Sequence, residues 1–124
     1  MTYYTKEHEW ITVTEGKLAR VGITDHAQNQ LGDIVFIDFT ADLGEINAED
    51  EVLTVESVKS VSDVFAPVAG TIVAFNDTLD DSPETVNDSA TDEGWMFEME
   101  VNNPEDLEKL MSLEQYEAFL EEEE

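Results

Sequence analysis

Val52-Leu53-Thr54-Val55-Glu56-Ser57-Val58-Lys59-Ser60-Val61-Ser62-Asp63-Val64-Phe65 is the stretch that decides the fold. Two β-branched runs, Val52 to Val55 and Val61 to Phe65, suit a pleated, half-buried surface, so the stretch predicts a hairpin with Lys59 near its tip. Upstream, Asp33 to Phe39 reads as a strand, and the polar Asp42 to Glu51, interrupted by Gly44, reads as a loop. Downstream, Pro67-Val68-Ala69-Gly70 turns the chain into a strand from Thr71 to Phe75. Further out, Trp10, Thr12 and Thr14 alternate with Ile11 and Val13, and Leu18 to Ile23 resumes an apolar run, which makes a second hairpin turning at Gly16. Thr24 is placed to cap, and Gly32 to stop, a short helix between them.

Towards the C-terminus, Asn76 to Glu93 is loop apart from a short helix entered at Ser82-Pro83-Glu84, with proline at its first position. Trp95, Phe97, Met99 and Val101 alternate with Met96, Glu98 and Glu100, a period of two that puts the first four on one buried face. Asn103-Pro104-Glu105 opens a helix through Met111, and Ser112-Leu113-Glu114-Gln115 has the spacing of a capping box opening another. In that last helix Leu113, Tyr116, Phe119 and Leu120 form one apolar stripe, and Glu121 to Glu124, acids at a helix C-terminus, are expected to fray. The sum is a mainly β chain, a sandwich or flattened barrel forming a single domain over residues 1–124, with a C-terminal helical segment at about 104–121.

Composition removes several functions. Thirty-one acids stand against five bases, a formal net charge of −26, which repels the phosphates of nucleic acid and of anionic membranes. No apolar run reaches the roughly 20 residues a bilayer needs, and Met1-Thr2-Tyr3-Tyr4-Thr5-Lys6 lacks the apolar stretch of a signal peptide, so a cytoplasmic protein is expected. Without cysteine there is no disulfide, thiol catalysis or thiolate metal site. The acids favour the second half of the chain, and two explanations stand: solubility in a salt-rich cytoplasm, or steering towards basic partner enzymes.

Catalytic motifs are missing too. His8 and His26 belong to no metal-ligand spacing, no serine sits in a G-x-S-x-G turn, and neither Gly-rich phosphate loop occurs. The chain therefore reads as a non-catalytic protein. Among its lysines, Lys6 lies near a terminus, Lys17 beside a turn glycine, and Lys109 one helical turn after Glu105, an expected ion pair. Lys59 alone sits between two strand-like runs, with Glu56 and Asp63 the nearest acids in sequence.

Tyr4-Thr5-Lys6-Glu7-His8-Glu9-Trp10, Val21-Gly22-Ile23-Thr24-Asp25-His26-Ala27, Leu31-Gly32-Asp33-Ile34-Val35-Phe36, Glu56-Ser57-Val58-Lys59-Ser60 and Gly94-Trp95-Met96 follow one another with the order and spacing of the glycine cleavage H-protein family, which the chain resembles over nearly its whole length. The resemblance implies a flattened β-barrel of the biotinyl/lipoyl-carrier type, a barrel-sandwich hybrid, with lipoate held covalently by an amide to Lys59. Biotin carriers set the corresponding lysine between methionines, whereas Lys59 lies between Val58 and Ser60. Glu56, Ser57, Val58 and Ser60 would be what a lipoate ligase or lipoyl transferase reads, and an arm-binding groove would draw on Glu9, Ile23, Leu31 and Asp63. The implied role is to shuttle the aminomethyl group of glycine from glycine decarboxylase, a pyridoxal-phosphate enzyme, to aminomethyltransferase, and to deliver the dithiol to dihydrolipoamide dehydrogenase. The alternative use of the same fold is a relay passing lipoyl groups to other 2-oxoacid dehydrogenase complexes; an acidic interaction protein without lipoate is the third reading.

The chain departs from the family at Thr40 and Leu43, where proline and glycine are common, at Ala90-Thr91 in place of a Pro-Tyr pair, and at Glu98 and Glu100, where lysines are common. The first change bears on loop geometry, and the last on the surface partners meet.

Overall fold

Backbone pairing gathers the alternating segments into two antiparallel sheets. The computed structural model describes residues 2–123. Its strands are β1 (Thr2–Tyr4), β2 (Glu9–Glu15), β3 (Leu18–Ile23), β4 (Ile34–Phe39), β5 (Gly44–Ile46), β6 (Glu51–Ser57), β7 (Val61–Phe65), β8 (Gly70–Phe75) and β9 (Phe97–Val101). The helices are α1 (Asp25–Leu31), α2 (Thr78–Asp81), α3 (Thr85–Ser89) and α4 (Leu113–Glu123), with a 3₁₀ segment at Pro104–Lys109. One sheet has six strands in the order β1-β2-β3-β9-β8-β5, and the other three in the order β4-β6-β7. Neither sheet closes on itself, so the architecture is a mainly β sandwich rather than a complete barrel.

The core lies between the sheets. Ile11, Val21, Ile72, Phe97 and Met99 of the large sheet share one buried cluster with Ile37, Leu53, Val55 and Val64 of the small one. Gly22 of β3 leaves room for an indole: a Cβ there would lie 2.8 Å from Trp10 Cζ2. Trp10 Nε1 then donates to the Ala90 carbonyl at 3.0 Å and ties β2 to the segment after α3. Both predicted hairpins form, β2–β3 turning at Gly16 (φ 56°) and β6–β7 carrying Lys59 at its tip. Thr24 caps α1 by accepting the Ala27 N–H, and Gly32 ends it. The capping box of α4 also closes, with Ser112 N–H on Gln115 Oε1 and Gln115 N–H on Ser112 Oγ.

Several expectations are corrected. The loop expected over Asp42 to Glu51 holds β5, whose three residues pair with β8 and owe their strand to that neighbour rather than to their own pattern. Asn76 to Glu93 contains a second helix, α2, only four residues long and so without readable periodicity; it buries Leu79. Trp95 does not share the face of Phe97: Met96 is the buried residue, held by its N–H on the Val21 carbonyl, while Trp95 is half-buried under the Arg20 guanidinium, 4.7 Å from its ring centre. The helix expected through Met111 is the 3₁₀ segment ending at Lys109, and Met111 instead bridges to Tyr4. Because side chains three apart eclipse in a 3₁₀ helix, Lys109 pairs with Asp106 at 3.5 Å and not with Glu105. Leu113, at the very start of α4, is exposed, and the helix meets the body through Tyr116, stacked on Tyr4 at 4.8 Å. The acidic run is helical through Glu123, and Glu124 lies outside the described residues.

Among the described residues two ion pairs form, Arg20–Glu98 and Lys109–Asp106. Most of the acids therefore repel one another without compensation. Raising salt from ~10 mM to ~1 M, which shortens the range of charge repulsion from about 30 Å to about 3 Å, is expected to raise Tm by several degrees in a thermal melt followed by circular dichroism. A Tm independent of salt would rule out self-repulsion as a cost of this composition.

Candidate functional site

The tip between β6 and β7 is fixed by hydrogen bonds from both sides. Ser57 N–H donates to the Ser60 carbonyl at 2.9 Å. Ser57 Oγ donates to the same carbonyl and accepts the N–H groups of Lys59 and Ser60 at 3.2 and 3.1 Å. This short-range serine turn explains why a serine stands at the end of β6. Val58 N–H leaves the hairpin altogether and donates to the Asp33 carbonyl at 3.0 Å, just after α1. The backbone that carries Lys59 is thereby held while its side chain is exposed. Neither Glu56 nor Asp63 pairs with the ammonium; Asp63 accepts a hydrogen bond from Thr54 instead.

The lysine stem runs beside Gly32. A Cβ at that glycine would lie 3.2 Å from Lys59 Cε and 3.7 Å from Val58 Cγ2. Gly32 has φ 78° and ψ −151°, a region almost closed to residues with a side chain, so both its conformation and its surroundings require glycine. Four exposed apolar side chains surround the tip. Val58 and Val61 flank Lys59, and an irregularity in the β4–β6 register turns both Val35 and Phe36 outward opposite Glu56 and Ser57.

Two cavities adjoin this hairpin. The one beside the lysine, about 250 Å³, is lined by Ile23, Ala27, Leu31, Val55 and Val64 as an apolar wall, with Ser60, Asp63 and His8 among its polar groups. It unites three of the four predicted groove residues. The fourth, Glu9, faces the neighbouring cavity of about 600 Å³ with Tyr4, Lys6, Phe65, Lys109 and Met111; Glu7 borders both. Glu9 is 2% exposed, accepts the Phe65 N–H at 2.7 Å and is met by the Thr5 hydroxyl at 3.2 Å. Burial pushes its carboxyl up to about 7, against these two hydrogen bonds, which lower it, and with a smaller upward push from the charge of Glu7.

His8 and Gln30 also line the smaller cavity, and sequence reasoning singled out neither for it. His8 adopts φ 66°, and its Nδ1 lies 2.8 Å from the Tyr116 hydroxyl, which in turn meets Thr24 Oγ1 at 2.7 Å. The only signal was a histidine beside the buried pair Glu9-Trp10, a spacing that matches no ligand motif.

A family model described as Glycine cleavage H-protein matches residues 2–123. A glycine cleavage system H protein of Oceanobacillus iheyensis is 50% identical over 117 residues, 94% of this chain and 92% of that one. A protein of the same description from Bacillus subtilis is 49% identical over 119 residues, 96% and 93% of the two chains. The crystal structure of a glycine cleavage system H protein from Mycobacterium marinum superposes with a TM-score of 0.83 at 32% identity, covering 94% of each chain.

Proposed function

The chain belongs to the glycine cleavage H-protein family, and from that premise we propose that it is the lipoyl-bearing carrier of the glycine cleavage system, its arm joined as an amide to Nζ of Lys59. One observation carries the assignment. Lys59 is exposed, makes no ion pair among the described residues, and projects from a backbone fixed by Ser57 and Asp33 next to an apolar cavity. An attachment site needs a side chain that an enzyme can reach at a defined position, and both conditions are met. The residues fit the group. Acylation removes a charge that no ion pair neutralises among the described residues, and the wall of Ile23, Leu31 and Val55 accommodates a mainly apolar arm.

When bound, a lipoyl group would supply a dithiolane, one sulfur of which takes the aminomethyl group as the S–S bond breaks and the other becomes a thiol, chemistry this cysteine-free chain lacks. The chain's own part is presentation and shelter. Ile23 and Leu31 keep water from one side of the cavity, and Asp63 offers a carboxylate to a cationic cargo. Glu56, Ser57, Val58 and Ser60 give a lipoate ligase or lipoyl transferase a rigid turn to read. Glycine decarboxylase, aminomethyltransferase and dihydrolipoamide dehydrogenase would meet the same tip, where Val35, Phe36, Val58 and Val61 present exposed apolar surface. As a non-catalytic carrier it would work beside them in the cytoplasm.

The test has two steps. Incubation with a lipoate ligase, ATP and lipoate is expected to add about 188 Da to the peptide containing Lys59 and to no other, the mass of one lipoyl amide. The lipoylated chain should then support exchange of labelled bicarbonate into glycine by glycine decarboxylase. A bare Lys59 after the first step overturns the attachment site; a lipoylated chain inert in the second favours the relay role.

A further inference from the structure

Asn87 of α3 uses three hydrogen bonds to hold the backbone on which the hairpin tip rests. Its Oδ1 accepts the Ile34 N–H at 2.8 Å, and its Nδ2 donates to the Gly32 carbonyl at 2.8 Å and to Gln28 Oε1 at 3.0 Å. The residue between Gly32 and Ile34 is Asp33, whose carbonyl accepts the Val58 N–H, and the Lys59 stem lies against Gly32 itself. The helix that carries Asn87 is anchored in turn. Gly94 N–H donates to the Ser89 carbonyl at 2.7 Å, Trp10 holds the Ala90 carbonyl, and a Cβ at Gly94 would lie 2.9 Å from Val86 Cα.

We propose that Asn87 is the positioning residue for the arm-bearing lysine. Clamped between the end of α1 and the start of β4, it fixes Gly32-Asp33-Ile34 as a seat, and the seat fixes Val58 and the last methylenes of Lys59, Cδ and Cε, in the direction from which an enzyme must approach and from which the arm enters the cavity. A carbonyl at a helix C-terminus has no partner within the helix, so Gly32 is free to turn towards solvent unless another group engages it. Asparagine is suited to the task because one amide offers both an acceptor for Ile34 and donors for Gly32 and Gln28; aspartate keeps the first and replaces the donors by an acceptor that repels both carbonyl oxygens. The inference rests on the assignment of Lys59 as the attachment site and adds what aims it.

Asn87→Asp and Asn87→Ala are compared with the parent and with Leu107→Ala, which truncates a buried side chain in the 3₁₀ segment that takes no part in the hydrogen bonds of the hairpin tip or of Asn87. All are kept at a temperature where each is folded by circular dichroism. Two readouts are taken: hydrogen exchange of the Val58 amide in the unmodified chain, and the steady-state kinetics of lipoate ligase with the chain as varied substrate. Both Asn87 variants are expected to speed Val58 exchange and raise ligase KM about tenfold with kcat little changed, since weaker positioning is felt on encounter. Leu107→Ala should leave both values at the parent's. Unchanged KM in the Asn87 variants, or an equal rise in Leu107→Ala, overturns the proposal. A parent that the ligase leaves bare removes the Lys59 assignment and this inference with it, an outcome distinct from a parent that is lipoylated as well as its Asn87 variants.

Discussion

Lys59→Arg is expected to eliminate the lipoyl mass increment and to reduce reconstituted glycine cleavage to the level seen without the chain, while Tm stays within a degree or two of the parent. Arginine keeps the positive charge and most of the length of the side chain, but its delocalised guanidinium is not a nucleophile that forms a stable amide with a carboxyl-derived acyl group at neutral pH. Stability should be almost untouched, because the ammonium is exposed and unpaired among the described residues and surface substitutions of that kind stay within about 0.5 kcal/mol. Lys17→Arg and Lys109→Arg serve as controls and should retain both the increment and the turnover. The separation of an unchanged melt from a complete loss of function is the informative outcome. A Lys59→Arg chain that still supports glycine cleavage would refute the carrier assignment, and one that is still lipoylated would move the attachment to another lysine.

What the sequence disclosed, it disclosed where the physics is local. The β-branched runs around Lys59, the Thr24 cap, the Gly32 stop and the Ser112–Gln115 box depend on residues within a few positions of one another, and each forms as expected. β5 was hidden because its strand character comes from β8, some 25 residues later in register with it. The departure at Glu98 also acquires a local account only in three dimensions: it pairs with Arg20 across β3 and β9 at 3.1 Å. Asn87 was invisible for the same reason, one amide in an acid-rich stretch whose three partners lie more than fifty residues upstream. The site was legible as a lysine and three lining residues, and its division into two cavities was not. Glu9 shows why: among so many acids, nothing in the chain marks the one whose strand directs it into the body.

Glu9→Gln is expected to remove the pH dependence that this burial imposes. The folded state raises the Glu9 carboxyl from 4.5 to about 7, so between those values the native protein holds a proton that the unfolded chain has released. Stability therefore falls as pH rises through the window from about 5 to about 7, and above it the native state carries a buried carboxylate at a cost on the order of 3 kcal/mol. Glutamine has no proton to lose. Its carbonyl can still accept the Phe65 N–H, the shorter of the two contacts of Glu9, while the Thr5 hydroxyl, whose oxygen already accepts the Glu7 and Glu9 N–H groups, gives up only the longer one. Parent and variant should be similarly stable near pH 5 and diverge as the pH is raised, the variant being the more stable at pH 8 by urea titration. Taking the difference between the two proteins cancels the titration of every other group they share. Stability curves that run parallel from pH 5 to 8 would show that Glu9 is not held in its neutral form. If they diverge as expected, the carboxyl that grips Phe65 changes charge near neutrality at the far end of the strand leading from Lys59, so the anchorage of that strand, and not only the arm, responds to pH.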